Sequence, residues 1–227
     1  VMVMIDHIFQ YYDNNIEFRM ANDIYYDDNV FMVYSILATK LKMIPEMSWY
    51  IDNSQSFIDN ILNKDNKRVL NKSIANKDIT CFYTQDDDDY SKFYHILENT
   101  LETNHCTEPT HTLEELLMIK RLLDDDIRLY IVQNENTGDI YGGSIVIKAT
   151  SKCWYVCYMS KNMNISQSTF SLLYLMKTIS EDAKKHHTQY LDYGICTENK
   201  GEIINIGLCE FKERSLGGNA NARYVFC

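Results

Sequence analysis

The chain has 227 residues, 45% of them apolar, enough to bury a core as one large domain or two small ones. Its formal charge of −10 argues against nucleic acid, whose phosphates need clustered Lys and Arg, though backbone N–H groups could still hold a small anionic cofactor. The cysteines (81, 106, 153, 157, 196, 209 and 227) are scattered and odd in number and lack zinc-ribbon spacing, so they read as reduced core thiols in an intracellular, cytoplasmic protein that binds no metal.

The opening VMVMIDHIFQYY is apolar and then aromatic, and reads as a strand or a short helix. IEFRM (16–20) reads as a strand, and turn signals at Asn22-Asp23 and Asp27-Asp28-Asn29 bracket IYY. VFMVYSIL (30–37) is a continuous apolar run of the buried-strand type, with Thr39–Ile44 as its partner, and Pro45 breaks the pattern before Trp49 and Tyr50. Ser54 or Ser56 caps a helix whose face is Phe57, Ile58, Ile61 and Leu62. It leads into NKDNKRVLNKS, the most basic stretch, where Lys64, Lys67, Arg68 and Lys72 read as a solvated helix face or, alternatively, a patch for a phosphorylated ligand.

Asp86–Asp89 starts a helix, because carboxylates favour the positive end of the dipole, and its stripe is Tyr90, Phe93, Tyr94, Leu97 and Leu101. In CTEPTHTLEELLMIKRLL, Thr112 and Glu115 make a capping-box pattern, Leu113, Leu116 and Leu117 supply the face, and His111 before the cap is exposed. IRLYIVQN, the turn ENTG, DIYGGSIVIKA and KCWYVCYMS then form an antiparallel meander, with Gly142-Gly143 marking a bulge or a close backbone approach. Cys153 and Cys157, four apart in a strand, share a face. SQSTFSLLYLMKTISEDAKK is a long helix with Leu172, Met176, Ile179 and Ala183 buried and Lys184 to His187 at its negative end. No apolar run approaches the ~20 residues of a membrane span and no signal-peptide pattern is seen, so no membrane insertion is expected.

A strand over Gln189–Tyr193 ends at Gly194 and opens a polar loop holding Asp192, Glu198 and Asn205. In open α/β sheets, ligands bind at the carboxyl ends of strands. A short helix follows with Ile204, Leu208 and Phe211 on one face and Lys212 and Glu213 near its end, Gly217-Gly218 closes it, and ARYVF is the last strand.

Five stretches carry a family likeness: DNKRVLNKS (65–73), PTHTLEEL (109–116), GDIYGGSIVI (138–147), YLDYGICTENKG (190–201) and INIGLCEFKERSLGG (204–218). They resemble the GNAT-like acyltransferase superfamily, and within it the bacterial sugar and cell-envelope branch related to Fem and CelD-type proteins. The last two resemble that group's D-F-G-x-S-T-E…G…N-x-G-L…F-K-E-x-F-G-G pattern, with Tyr193, Cys196 and Leu216 as departures. The resemblance implies an α/β (α+β) fold with a GNAT-like mixed, mainly antiparallel central sheet flanked by helices. Residues 56–227 would form this domain, and residues 1–55, unassigned, would pack on it.

The function implied is N-acyl transfer, most simply of acetyl, from acetyl-CoA to the amine of an amino sugar or nucleotide-amino sugar in glycan or polysaccharide biosynthesis. A homodimer is allowed for. Such chemistry needs a base for the ammonium, a donor for the developing oxyanion and an acid for the thiolate. The candidates are His111 or Glu198 as base, Tyr158 as acid, and Asp192 for the substrate amine or hydroxyl. Lys212 would take a phosphate or carboxylate, with Asn205 and Glu213 as further substrate contacts. Met159, with Ser166, Gln167 and Ser168 at the long helix's start, would hold the cofactor. Typical GNAT enzymes carry a Gly-rich turn there, whereas this chain reads NISQST, leaving the phosphates to bare backbone N–H groups. His111 should lie within reach of the 192–205 loop, and Asp192 and Glu198 should flank the gap where their strand parts from the meander strand ending at Met159. Two alternatives stand beside this reading. One is a Fem-like transferase using aminoacyl-tRNA, which needs a wide positive surface that a charge of −10 counts against. The other is a non-catalytic GNAT-fold binding module, favoured by the missing glycine turn and the unplaced first 55 residues.

Overall fold

The computed structural model describes residues 16–26, 30–165 and 171–227. The opening VMVMIDHIFQYY, the turn Asp27–Asn29, and Ser166 to Phe170 lie outside the described residues.

The expected meander forms: β4 (Ile127–Asn134), β5 (Ile140–Ile147) and β6 (Cys153–Lys161) pair antiparallel in sequence order. β3 (Ile79–Thr84), which the sequence reading passed over, pairs with the outer edge of β4. Leu129 and Ile131 enter one core while Tyr130 and Val132 enter the other, so the sheet is covered on both faces and β4 is apolar without alternation. One cover is α4 (Asp87–His105) with α5 (Leu113–Leu123), which bring Tyr90, Phe93, Leu97 and Leu116. Gly143 is the close approach its sequence signals, since a Cβ there would stand 2.6 Å from the Phe93 ring.

The other cover is α6 (Ser171–Lys185). Its buried stripe is wider than expected: Leu173, Leu175 and Ser180 join Met176, Ile179 and Ala183, and Leu172 is only half-buried. The reason is that α6 touches the sheet and also α2 (Phe57–Asn60) and α3 (Lys64–Ala75). The helix expected over Phe57–Leu62 is one short turn, because Asn63 starts a new helix by accepting from the N–H groups of Asp65 and Asn66. Leu62 is consequently exposed, and Lys64, Arg68 and Lys72 on α3 face solvent.

Beyond β6 the sheet continues through β7 (Tyr190–Ile195), β2 (Met43–Asp52), β10 (Asn219–Phe226) and β1 (Phe18–Arg19). Every pairing is antiparallel except β6 with β7, so the expected GNAT-like mixed sheet is the one observed. Residues from the first 55 thus supply strands to the same sheet as the C-terminal strand.

VFMVYSIL is a helix, α1 (Phe31–Ala38), and not a strand. The run packs one-sidedly against the end of β10, whose outer edge is taken there by β1 at Val225 and Phe226: Tyr34 and Leu37 meet Phe226, while Phe31 and Met32 stay 59% and 63% exposed. Thr39–Ile44 is accordingly no strand partner; it is a turn followed by the start of β2. Pro45 does not break β2. It lies opposite Tyr224 of β10 where the other edge of β2 is still free, since β7 joins β2 only from Ser48 onward.

Candidate active site

The two parallel strands at the middle of the sheet stay together only briefly. Cys153, Trp154 and Tyr155 of β6 face Tyr190, Leu191 and Asp192 of β7. Beyond that point β6 keeps β5 and β7 keeps β2, so the strands part. Each carries an irregularity there. On β6, Val156 and Tyr158 face consecutive residues of β5, leaving Cys157 as the extra one. On β7 an extra residue falls between Asp192 and Ile195, where Gly194 takes φ +71°, a left-handed conformation that suits glycine.

On the β6 lip, the bulge turns Tyr158 toward the core under α4 and α5. Its hydroxyl and the Nδ1 of His111 share a hydrogen bond at 2.7 Å, with the rings perpendicular. His111 directly precedes Thr112, the N-cap of α5, where the expected capping box is present: the Thr112 hydroxyl accepts from Glu115 N–H and the Glu115 carboxylate from Thr112 N–H. The cap therefore sets the entry of His111. The ring is half-buried against β6 rather than exposed as the sequence suggested. Burial holds the Tyr158 hydroxyl above the usual tyrosine pKa.

On the β7 lip stands Asp192. It is no wet loop residue: it lies within the strand, 6% exposed. β7 continues past Gly194 to Ile195. The Asp192 carboxylate accepts from Gly194 N–H (2.7 Å), from the Tyr25 hydroxyl (2.8 Å) and, at 3.5 Å, from Asn22 Nδ2, which also donates to Ser48 Oγ. Burial raises its pKa above the ordinary carboxylate value although these hydrogen bonds pull the other way. Tyr25, Asn22 and Ser48 went unnoticed in the sequence, and only the turn signal at Asn22-Asp23 pointed near them. Tyr155 was also missed. Paired with Asp192, it lies across Gly194, its hydroxyl 3.4 Å from where a Cβ would be.

Lys212 is buried too, at 6% exposure. α7 (Ile206–Glu210) runs into a single π turn over Phe211–Ser215, closed at Gly217, φ +69°, where a Cβ would stand 2.3 Å from the carbonyl of Asn60. That turn aims the Lys212 ammonium at the carbonyls of Gly194 and Ile195, 3.1 and 2.9 Å away, and burial lowers its pKa. Lys212, expected to take a phosphate or carboxylate, instead braces the β7 bulge through these two carbonyls. Glu198 is exposed on β8 (Thr197–Glu198), which pairs with β9 (Ile203–Ile204), and accepts from Asn205 Nδ2 at 3.0 Å. Asn205 is the N-cap of α7, accepting from Leu208 N–H, and Glu213 is exposed. Ile204, expected on the helix face, belongs to β9 and is exposed. Met159 is half-buried and packs toward the α6 side, while Ser166, Gln167 and Ser168 lie outside the described residues.

Among the described residues no cluster of His, Cys, Asp or Glu could hold a metal, and no helix is long and apolar enough to cross a membrane.

No protein-family model and no curated protein matches the sequence. Solved structures do match. FemX aligns over 98% of this chain and 75% of its own, with TM-score 0.74 and 12% identity. The fold is GNAT-like. The L-PGS of Bacillus licheniformis aligns over 85% of this chain and 63% of its own (TM-score 0.63, 11% identity). A GCN5-related N-acetyltransferase from Sphaerobacter thermophilus aligns over 92% and 57% (TM-score 0.53, 11% identity). The chain therefore spans between 57% and 75% of the length of these three structures. At such identities the likeness is one of GNAT-like fold, and it does not single out a sugar-modifying branch.

Proposed function

We propose that the chain is an acyltransferase working in the gap between β6 and β7, moving an acyl group, most simply acetyl, from acyl-CoA to the amine of an amino sugar or nucleotide-amino sugar. The observation that carries this is the parting of the two strands just past Tyr155 and Asp192, with a hydrogen-bonded His–Tyr pair on one lip and a buried carboxylate on the other. Past Tyr155 no strand among the described residues pairs with the β7-facing edge of β6, so that edge is open to an extended arm bearing amides, such as that of CoA. The donor's phosphates would lie toward the start of α6, with Ser166, Gln167 and Ser168.

His111 takes the proton from the acceptor ammonium. Tyr158, kept protonated by burial, delivers one to the leaving thiolate, and their shared hydrogen bond lets the pair pass protons between the two roles. Asp192 positions the acceptor side by holding Tyr25 and the Gly194 turn, and Glu198 with Asn205 forms a polar rim. Acetyl-CoA at about 100 times its dissociation constant should stabilise the protein by about 2.7 kcal/mol. The absence of any melting shift with acetyl-CoA would remove the CoA-dependent reading.

A second reading is Fem-like aminoacyl transfer, favoured by the likeness to FemX over nearly the whole chain. The exposed basic residues of α3 are the surface it would use. Tight binding of aminoacyl-tRNA, lost steeply with added salt and abolished by neutralising Lys64, Arg68 and Lys72, would choose it over the first.

A further inference from the structure

We infer that the chain holds a second ligand site, apart from the gap between β6 and β7, that takes a small organic oxyanion: a phosphate ester or a carboxylate. The site does not depend on the acyl-transfer reading.

It is a cavity of about 450 Å³ between the end of β5, the start of β6 and the turn that leaves α6. The fold brings these three walls together. β5 ends at Ile147, opposite Tyr155, and Lys148 follows on the face that Val146 presents to the core under α6. Trp154 of β6 enters the same core. In the turn after α6, the N–H groups of His186, His187 and Thr188 return to carbonyls of Asp182, Ala183 and Lys184, which quenches the negative end of the helix. That turn sets the His186 ring 5.4 Å from the Trp154 ring and puts Thr188 in the cavity wall.

Donors outnumber acceptors here. Lys148 Nζ stands 5.8 Å from the centre of the Trp154 ring, and it has no hydrogen-bond or ion-pair partner among the described residues. Thr188 is 3% exposed, yet its hydroxyl has no hydrogen-bond partner among the described residues either. Buried hydroxyls are nearly always paired, because a bare one forfeits its hydration for nothing. This one points to an oxygen that the protein does not supply. Arg128 stands 5.8 Å from the same Trp154 ring; one of its Nη groups goes to Asp182, and its Nε is buried without a partner. His186 and Ser151, both exposed, offer a ring nitrogen and a hydroxyl at the mouth. Against these donors the lining has one carboxylate, the exposed Asp126, whose backbone carbonyl accepts from Lys148 N–H. The volume falls within the range of about 300–1,000 Å³ usual for small-molecule pockets, leaving room for a carbon skeleton beside the anionic group.

Calorimetry at constant ionic strength tests the site, with inorganic phosphate, malonate and, as a neutral control, glycerol titrated into the wild type, Lys148→Gln and Thr188→Val. Both variants should fold. Lys148 Nζ holds no partner, and valine has the shape of threonine without the bare hydroxyl, so Thr188→Val should melt at or above the wild-type temperature. At least one of the anions should bind the wild type, and glycerol should not. Lys148→Gln should weaken that anion by about ten- to a hundredfold and Thr188→Val by about two- to tenfold. The anion bound more tightly tells phosphate from carboxylate. Asp126→Asn removes a like charge and should leave the affinity equal or tighter. Failure of both anions to bind the wild type, equal binding of glycerol, or an affinity unmoved by Lys148→Gln and Thr188→Val overturns the site. Weaker binding in Asp126→Asn would mean that the cavity holds a cation, and overturns it as well.

Discussion

Asp192 shows how one side chain changes meaning once its surroundings are known. Read alone it is a charged loop residue; in the fold it is a buried carboxylate whose pKa burial has raised above 3.8. A raised carboxylate pKa favours folding in the protonated form. The contribution is complete below the ordinary carboxylate range and is lost as pH rises through the folded value. Asp192→Asn should therefore melt at or above the wild-type temperature at neutral pH and show a flatter decline in stability from acid toward neutral pH, as thermal melts across a pH series would reveal. An Asn oxygen can still accept from Gly194 N–H, and its amide can donate to Tyr25. A fall of many degrees at neutral pH would mean that the charge itself holds the turn. Tyr158→Phe removes the hydroxyl bonded to His111. The rate of acetyl transfer should fall by about 10²- to 10⁴-fold with KM little changed, since the group serves proton transfer and not binding.

The start of α5 and the β7 bulge are each built to aim one residue. Thr112→Ala removes half of the capping box and should cost about 0.5–2 kcal/mol of stability. Because His111 enters through that cap, activity should fall further than the melt implies, and Thr112→Ser should restore both. Gly194→Ala puts a side chain at φ +71° beneath the Tyr155 ring, so urea unfolding should report a loss of about 1–2 kcal/mol. α4 and α5 were legible because their period of 3.6 matches the face they bury, and the meander because its apolar runs are parted by turn signals. α1 was not: an apolar run of eight residues has no period that separates a helix from a strand.

Across the whole molecule, the first residues and the last close one sheet. β10 pairs along its full length with β2, receives β1 on its other edge at Val225 and Phe226, and carries Phe226 into the core under α1. Removing residues 219–227 should therefore abolish the cooperative thermal transition, not merely lower its midpoint; a truncated chain with a sharp near-wild-type melt would contradict this.

Several features follow from the chain's own chemistry. Apolar, strand-forming runs parted by turn residues determine the meander in 127–160, acidic and threonine caps determine where α4 and α5 begin, and Gly194 and Gly217 mark where left-handed backbone is needed. These are local, depending on residues a few positions apart. The candidate site is not local. Tyr25 meets Asp192 across 167 positions, and the burial that raises one carboxyl and lowers the Lys212 ammonium exists only once the sheet has closed. Hydrogen bonds between distant strands depend on register, and register is decided by how the faces pack, which no short stretch of sequence contains.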